Sequence, residues 1–224
     1  MDTLVLPGMV DKLAIIGTAG RREDQGLLSK LHYQRMIDAC IKFINHKKLN
    51  TETLELYSGG AAWSDHLAVA LVMKGIVPPS KLKLFLPAKL EYYGFEGENE
   101  YQQRVADTAN YYHKLFSKTI GHSSIDELRE VEKQGAILDV IPGGFKARNS
   151  KVAQYVNPDG HLLAFTFGDP SSKQPIWTIR SFSGNVSAKE AGLKDGGTAD
   201  TFNKCKSFKH HARLGPIGSD YLTI

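Results

Sequence analysis

Tyr57-Ser58-Gly59-Gly60-Ala61-Ala62-Trp63-Ser64-Asp65-His66-Leu67-Ala68 is the most specific stretch of the chain. The stretch Thr53 to Tyr57 before it reads as a strand. Ala62 to Lys74 reads as a helix, closed by Gly75 and Pro78-Pro79. Two glycines and two alanines clear side chains from the start of that helix. Its free N–H groups and its dipole then form an anion site. Ser58 either caps the helix or bonds a phosphate oxygen, and Gly59, Gly60 and Ala61 line the same place. Asp65 has two readings, complementing the dipole or accepting hydrogen bonds from a ribose or base. His66 reads as a packed or surface residue rather than a catalyst.

The same alternation extends in both directions. Leu13 to Gly17 is a short buried strand. Ser29 to Lys47 is a helix with Ser29 at its cap, and Lys81 to Leu86 is a third strand stopped by Pro87. Ala88 to Glu100 is a polar and aromatic loop, and Tyr101 to Ser117 a helix. Ala136 to Ile141 and His161 to Phe167 are strands, with a short helix at Arg148 to Tyr155 between them. Gly168 to Gly196 reads as an insertion holding a strand at Pro175 to Ser181, and Thr198 to Phe208 as a last helix. The pattern predicts an α/β fold, a Rossmann-like, doubly wound and mainly parallel sheet. One domain is expected over residues 1–208, with the insertion near 168–196 and an exposed extension at 209–224.

Three more loops fall where a strand passes into a helix. Gly17-Thr18-Ala19-Gly20-Arg21-Arg22 offers small residues, a hydroxyl on Thr18, and arginines able to fork onto a phosphate. It is neither a Walker loop nor a dinucleotide fingerprint; a plain turn with solvated arginines is the competing reading. Phe145-Lys146-Ala147-Arg148-Asn149 brings Arg148 and Asn149 towards the same edge, against a solvated arginine and a capping asparagine. Asp195-Gly196-Gly197-Thr198-Ala199-Asp200-Thr201 repeats the glycine-then-helix pattern and adds Gly196, Gly197 and Thr198 as ligand contacts. Asp65, Glu98 and Asp200 are the candidate catalytic carboxylates, Glu98 from a loop whose tyrosines could stack on a base.

With 224 residues, 42% hydrophobic and 23% charged, the chain can bury a core and is not expected to be disordered. A net charge of +4 does not demand nucleic acid. Two cysteines, Cys40 and Cys205, fit a reducing, cytoplasmic setting. Met1 to Lys12 lacks a leader pattern, and no apolar run is long enough to span a membrane. No metal site is expected, since His210 and His211 are adjacent and no cysteine pair is spaced for zinc. No cofactor is expected either.

In order, Ile16-Gly17-Thr18-Ala19-Gly20-Arg21, Ser58-Gly59-Gly60-Ala61 with Asp65 and Ala68, Leu86-Pro87, Arg148-Asn149, Leu162-Leu163-Ala164-Phe165 and Gly197-Thr198 resemble the SLOG superfamily. That group includes LOG-type cytokinin-activating enzymes, the DNA-processing protein A domain, and small bacterial and phage proteins like YpsA. The resemblance implies a SLOG-type Rossmann-like sheet whose glycine loops bind nucleotides or their derivatives. In LOG-type hydrolases a Pro-Gly-Gly-x-Gly-Thr-x-x-Glu motif supplies a catalytic glutamate. Here Thr201 stands in its place, and Asp200 is one position early. Binding or sensing of a nucleotide-derived small molecule is therefore the first expectation. N-glycosidic hydrolysis of a nucleoside 5′-monophosphate is the second. Single-stranded DNA binding through Lys204, Lys206, Lys209, His210, His211 and Arg213 is the third. A homo-oligomer is compatible with the sequence.

Overall fold

The structure, a computed structural model, describes residues 10–218. Residues 1–9, where no leader is expected, and residues 219–224 of the expected extension lie outside the described residues. In chain order the elements are β1 (Lys12–Gly17), α1 (Lys30–Lys47), β2 (Glu55–Ser58), α2 (Leu67–Met73), β3 (Leu82–Leu86), β4 (Lys89–Glu91) and β5 (Gly94–Glu96). They continue with α3 (Glu100–Ile120), α4 (Ser124–Lys133), β6 (Ile137–Val140), α5 (Gly144–Val156), β7 (His161–Thr166), β8 (Ile179–Phe182), α6 (Gly197–Lys204) and β9 (Phe208–Arg213). Seven strands form one sheet in the order β6-β3-β2-β1-β7-β9-β8. Neighbours pair in parallel except β8 and β9, which are antiparallel. This is a Rossmann-like, doubly wound α/β fold.

Alternation along the strands sorts side chains between two apolar layers. Leu13, Ile15, Leu84, Leu163 and Phe165 pack with residues of α1, α2, α3 and α4. Ala14, Ile16, Phe85, Leu162 and Ala164 pack with residues of α5 and α6 on the other face. The chain builds outward from β1 through β2, β3 and β6, then returns to place β7 on the far side of β1. The switch point of the sheet therefore lies between the C-terminal ends of β1 and β7, where open α/β sheets leave a crevice.

Local chemistry explains the helix ends. Ser29 caps α1 by accepting the His32 N–H at 3.4 Å, and Asn99 caps α3 by accepting that of Gln102 at 3.0 Å. Three expectations change. The second helix starts at Leu67, not Ala62, because left-handed backbone at Gly60 (φ 63°) and Trp63 (φ 64°) keeps the chain in turns up to His66. The loop after β3 contains a hairpin, β4 paired with β5, pinned by the Asn110 side chain. That side chain accepts the Phe95 N–H at 2.7 Å and donates to its carbonyl at 2.8 Å. The part of the expected extension that begins at Lys209 is not exposed. Residues 209–213 lie in β9, inside the sheet, with Lys209, His210 and His211 buried.

Candidate functional site

A cleft of about 460 Å³ opens at the switch point. It is lined by Gly17, Thr18, Arg21 and Arg22 after β1, and by Gly59, Ala61 and Asp65 after β2. Arg148 and Asn149 come from α5, and Gly196, Gly197 and Thr198 from the start of α6. Twelve of the fourteen expected ligand contacts are thus brought together. Thr198 Oγ1 donates to the Gly17 carbonyl at 2.8 Å, which fastens the first and last of these loops to each other.

At the floor, Arg148 carries the electrostatics. Its Nη1 donates to the Gly59 carbonyl at 3.0 Å and its Nη2 to Asn149 Oδ1 at 3.2 Å. Nη2 also lies 4.0 Å from Asp65 Oδ2. Gly59 is a glycine because this pair fills its side-chain space: a Cβ there would sit 2.6 Å from Asp65 Oδ2 and 2.7 Å from Arg148 Nε. Burial raises the Asp65 carboxyl, against the pull of Arg148 and of the Ala61, Gly17 and Gly59 N–H groups. Burial also lowers the Arg148 guanidinium, although Asp65 pulls it up. Both partners are pushed towards neutrality, so their mutual attraction does not offset what desolvation costs them. Arg148 Nε has no hydrogen-bond acceptor among the described residues.

Above this pair, Arg21 is held by rings. Its guanidinium lies 5.1 Å from the Tyr112 centroid and 4.8 Å from that of Phe145, and no described residue gives it a carboxylate partner. Asn149 Nδ2 donates to the Gly197 carbonyl at 3.1 Å, tying Arg148 to the α6 start. No side chain caps α6, and the N–H groups of Gly197, Thr198 and Ala199 have no acceptor among the described residues. At the mouth, Lys194 Nζ reaches Asp24 Oδ1 at 2.6 Å and Glu23 Oε1 at 2.9 Å, and Thr18 Oγ1 donates to Asp24 Oδ2 at 2.6 Å.

Several expectations are corrected. Ser58 does not reach a ligand: it is fully buried and donates to the Ile15 carbonyl at 2.7 Å. Gly60 does not line the cleft: its carbonyl accepts from His113 Nε2 at 3.0 Å, and Leu86 fills the space a Cβ would take. Thr18 spends its hydrogen on Asp24, so it has none for a phosphate. Glu98 is outside the cleft, on the loop before α3, where its N–H donates to Gln102 Oε1. Asp200 turns outward to Lys204 at 2.8 Å and touches Asn149 Nδ2 at 3.4 Å. Thr201 lines the cleft instead. Of the three candidate catalytic carboxylates, Asp65 alone lines it. The basic run at 204–213 forms no common surface, since Lys209, His210 and His211 are buried and Lys204 pairs with Asp200.

Glu23, Asp24, Tyr112, Phe145, Thr166 and Lys194 also line the cleft and were not anticipated. Asp24 gives a weak signal as an acid in the turn after the glycine loop. Lys194 gives none, because the approach that brings it there is set by the path of residues 168–196. Among the described residues no His, Cys, Asp and Glu group is placed to hold a metal, and no helix is long and apolar enough to cross a membrane.

No protein-family model matches the chain, and no solved structure matches it. It is 30% identical over 213 residues to "Uncharacterized protein R261" of Acanthamoeba polyphaga mimivirus, covering 94% of this chain and 98% of that one.

Proposed function

The chain belongs to the same family as the mimivirus protein R261, a kinship that brings no activity with it, and from the site we propose that the protein binds a nucleotide or nucleotide-derived ligand in the switch-point cleft. The observation that carries this reading is Arg148. It is buried at the cleft floor, pairs with Asp65 only at 4.0 Å, keeps an Nε without an acceptor among the described residues, and is tied through Asn149 to an uncapped helix start. An anionic group there would gain the guanidinium and the free N–H groups together. Arg21, braced by Tyr112 and Phe145, adds a second cation without having to be ordered on binding. A SLOG-type assignment accords with the order of the loops.

The test is calorimetric titration with the four common ribonucleoside 5′-mono- and diphosphates. Saturable one-site binding is expected, lost in R148Q and retained in D200N. Heats indistinguishable from dilution for all of them would sink the reading. One observation favours a second reading, N-glycosidic hydrolysis. Asp65 is a buried carboxyl raised by its surroundings and facing the cleft, which suits proton transfer. Release of free base from nucleoside monophosphates, abolished in D65N, would establish it, and intact nucleotide after long incubation would remove it.

A further inference from the structure

Four threonines line the cleft: Thr18, Thr166, Thr198 and Thr201. A hydroxyl has one hydrogen and two lone pairs, so where the hydrogen goes decides what a ligand meets. Thr18 Oγ1 gives its hydrogen to Asp24 Oδ2 at 2.6 Å. Thr198 gives its own to the Gly17 carbonyl at 2.8 Å, and Thr201 to the Gly197 carbonyl at 3.1 Å.

Thr166, at the end of β7, is settled by a relay. His211 Nδ1 lies 3.0 Å from the Ala191 carbonyl, which can only accept, so Nδ1 carries the ring hydrogen. Burial holds His211 neutral, lowering it to about 4. Its Nε2 is therefore an acceptor, and the Thr166 hydroxyl 2.8 Å away must donate to it. The Gly168 N–H takes one Thr166 lone pair at 3.0 Å, and the Gly20 N–H takes one on Thr18 at 3.1 Å. All four hydrogens are thus spent inside the protein.

We infer that these threonines, set among the donors Arg21, Arg148 and the α6 start, meet a ligand as acceptors only, and that this acceptor wall selects a ligand that brings its own hydroxyl donors, a ribonucleotide with a free sugar diol. This rests on the nucleotide reading and adds the sugar class to it. A phosphate has no hydrogen to offer such a wall, whereas a 2′- or 3′-hydroxyl does. His211 acts as a positioning residue, fixing which way the Thr166 hydrogen points.

The experiment titrates the wild-type protein with each ribonucleoside 5′-monophosphate, its 2′-deoxy and 3′-deoxy forms, and its 2′-O-methyl form. Loss of one donor to the wall should weaken binding about tenfold, and 2′-O-methyl should weaken it as 2′-deoxy does, since both lack the hydrogen. T166V should narrow the ribo-to-deoxy ratio and T166S restore it, a rescue that a purely structural role would not give. Equal affinities for ribo and deoxy forms would overturn the acceptor wall and leave nucleotide binding standing. No binding of any form would overturn both.

Discussion

Two glycine loops in this chain look alike as sequence and act differently. Ser58-Gly59-Gly60-Ala61 and Gly196-Gly197-Thr198 both follow the pattern of glycines before a helix. Only the second opens one directly, with Gly197 as the first residue of α6 and its N–H groups unclaimed among the described residues. In the first, the helix is delayed to Leu67, and the glycines make room for Asp65, Arg148 and Leu86. Glycine can mark a place for a ligand or a place already taken by the protein's own side chains. The two cases separate only when the neighbours from distant strands are known.

The largest expected effect breaks the packed loop. R148A would leave the Asp65 carboxylate buried without a cation and the Gly59 carbonyl without its donor. It should cost about 3 kcal/mol or more, read from chemical denaturation. A loss under about 1 kcal/mol would mean that the pair is solvated. Next comes G60A, where left-handed backbone meets a Cβ 2.4 Å from Leu86 Cδ2. It should cost about 2–3 kcal/mol, measured as a shift in denaturation midpoint. G197A sharpens the contrast. Its Cβ meets nothing nearer than Asn149 Nδ2 at 3.4 Å. Stability should stay within about 0.5 kcal/mol, while the crowded α6 start loses nucleotide affinity. Destabilisation equal to that of G60A would make the two loops equivalent after all.

Acid should weaken the support of the first loop and that of Thr166. Burial lowers His113, beneath Gly60, to about 3 and His211, behind Thr166, to about 4. Each stays neutral in the fold but takes up a proton when unfolded, below about pH 6.5. Their contribution is full above that pH and is lost as pH falls through the window down to the folded values. Stability measured from pH 7.5 to 4.5 should decline, less steeply in H113Q or H211Q. A flat profile would show that the rings are protonated in place. The smallest effect is at Asp200, whose pair with Lys204 is half exposed and four residues apart on α6. D200N should change stability by no more than about 0.5 kcal/mol, and a larger loss in denaturation would give Asp200 a role in holding Asn149.

The central strands and the order of loops were legible because parallel strands buried on both faces are short, largely apolar runs, closed here by a nearby glycine or proline. β9 was not. Phe208-Lys209-His210-His211-Ala212-Arg213 reads as a basic tail. Its polar groups are satisfied only by distant partners: Lys209 by the Val186 and Phe202 carbonyls, His210 by Ser181 and His161, His211 by Thr166 and Ala191. No local pattern encodes those bonds. The helix α4 did leave a signal, Ser123 three residues before Asp126, whose N–H it caps at 3.1 Å. At the site, arginines and glycines were readable as types. The choice of Asp65 over Glu98 and Asp200 was not, since it depends on which carboxylate the fold turns inward.

The position of β9 also sets an order of events in time. It pairs with β7 on one side and β8 on the other, so a late segment of the described chain fills an interior slot. Until it emerges, β7 carries an open edge and β8 has nothing to pair with. At a synthesis rate of roughly 5–20 residues per second this lasts for seconds. An unpaired edge is where a nascent chain meets others of its kind. The same delay keeps His211 from Thr166, so the acceptor wall cannot exist before β9 has closed the sheet.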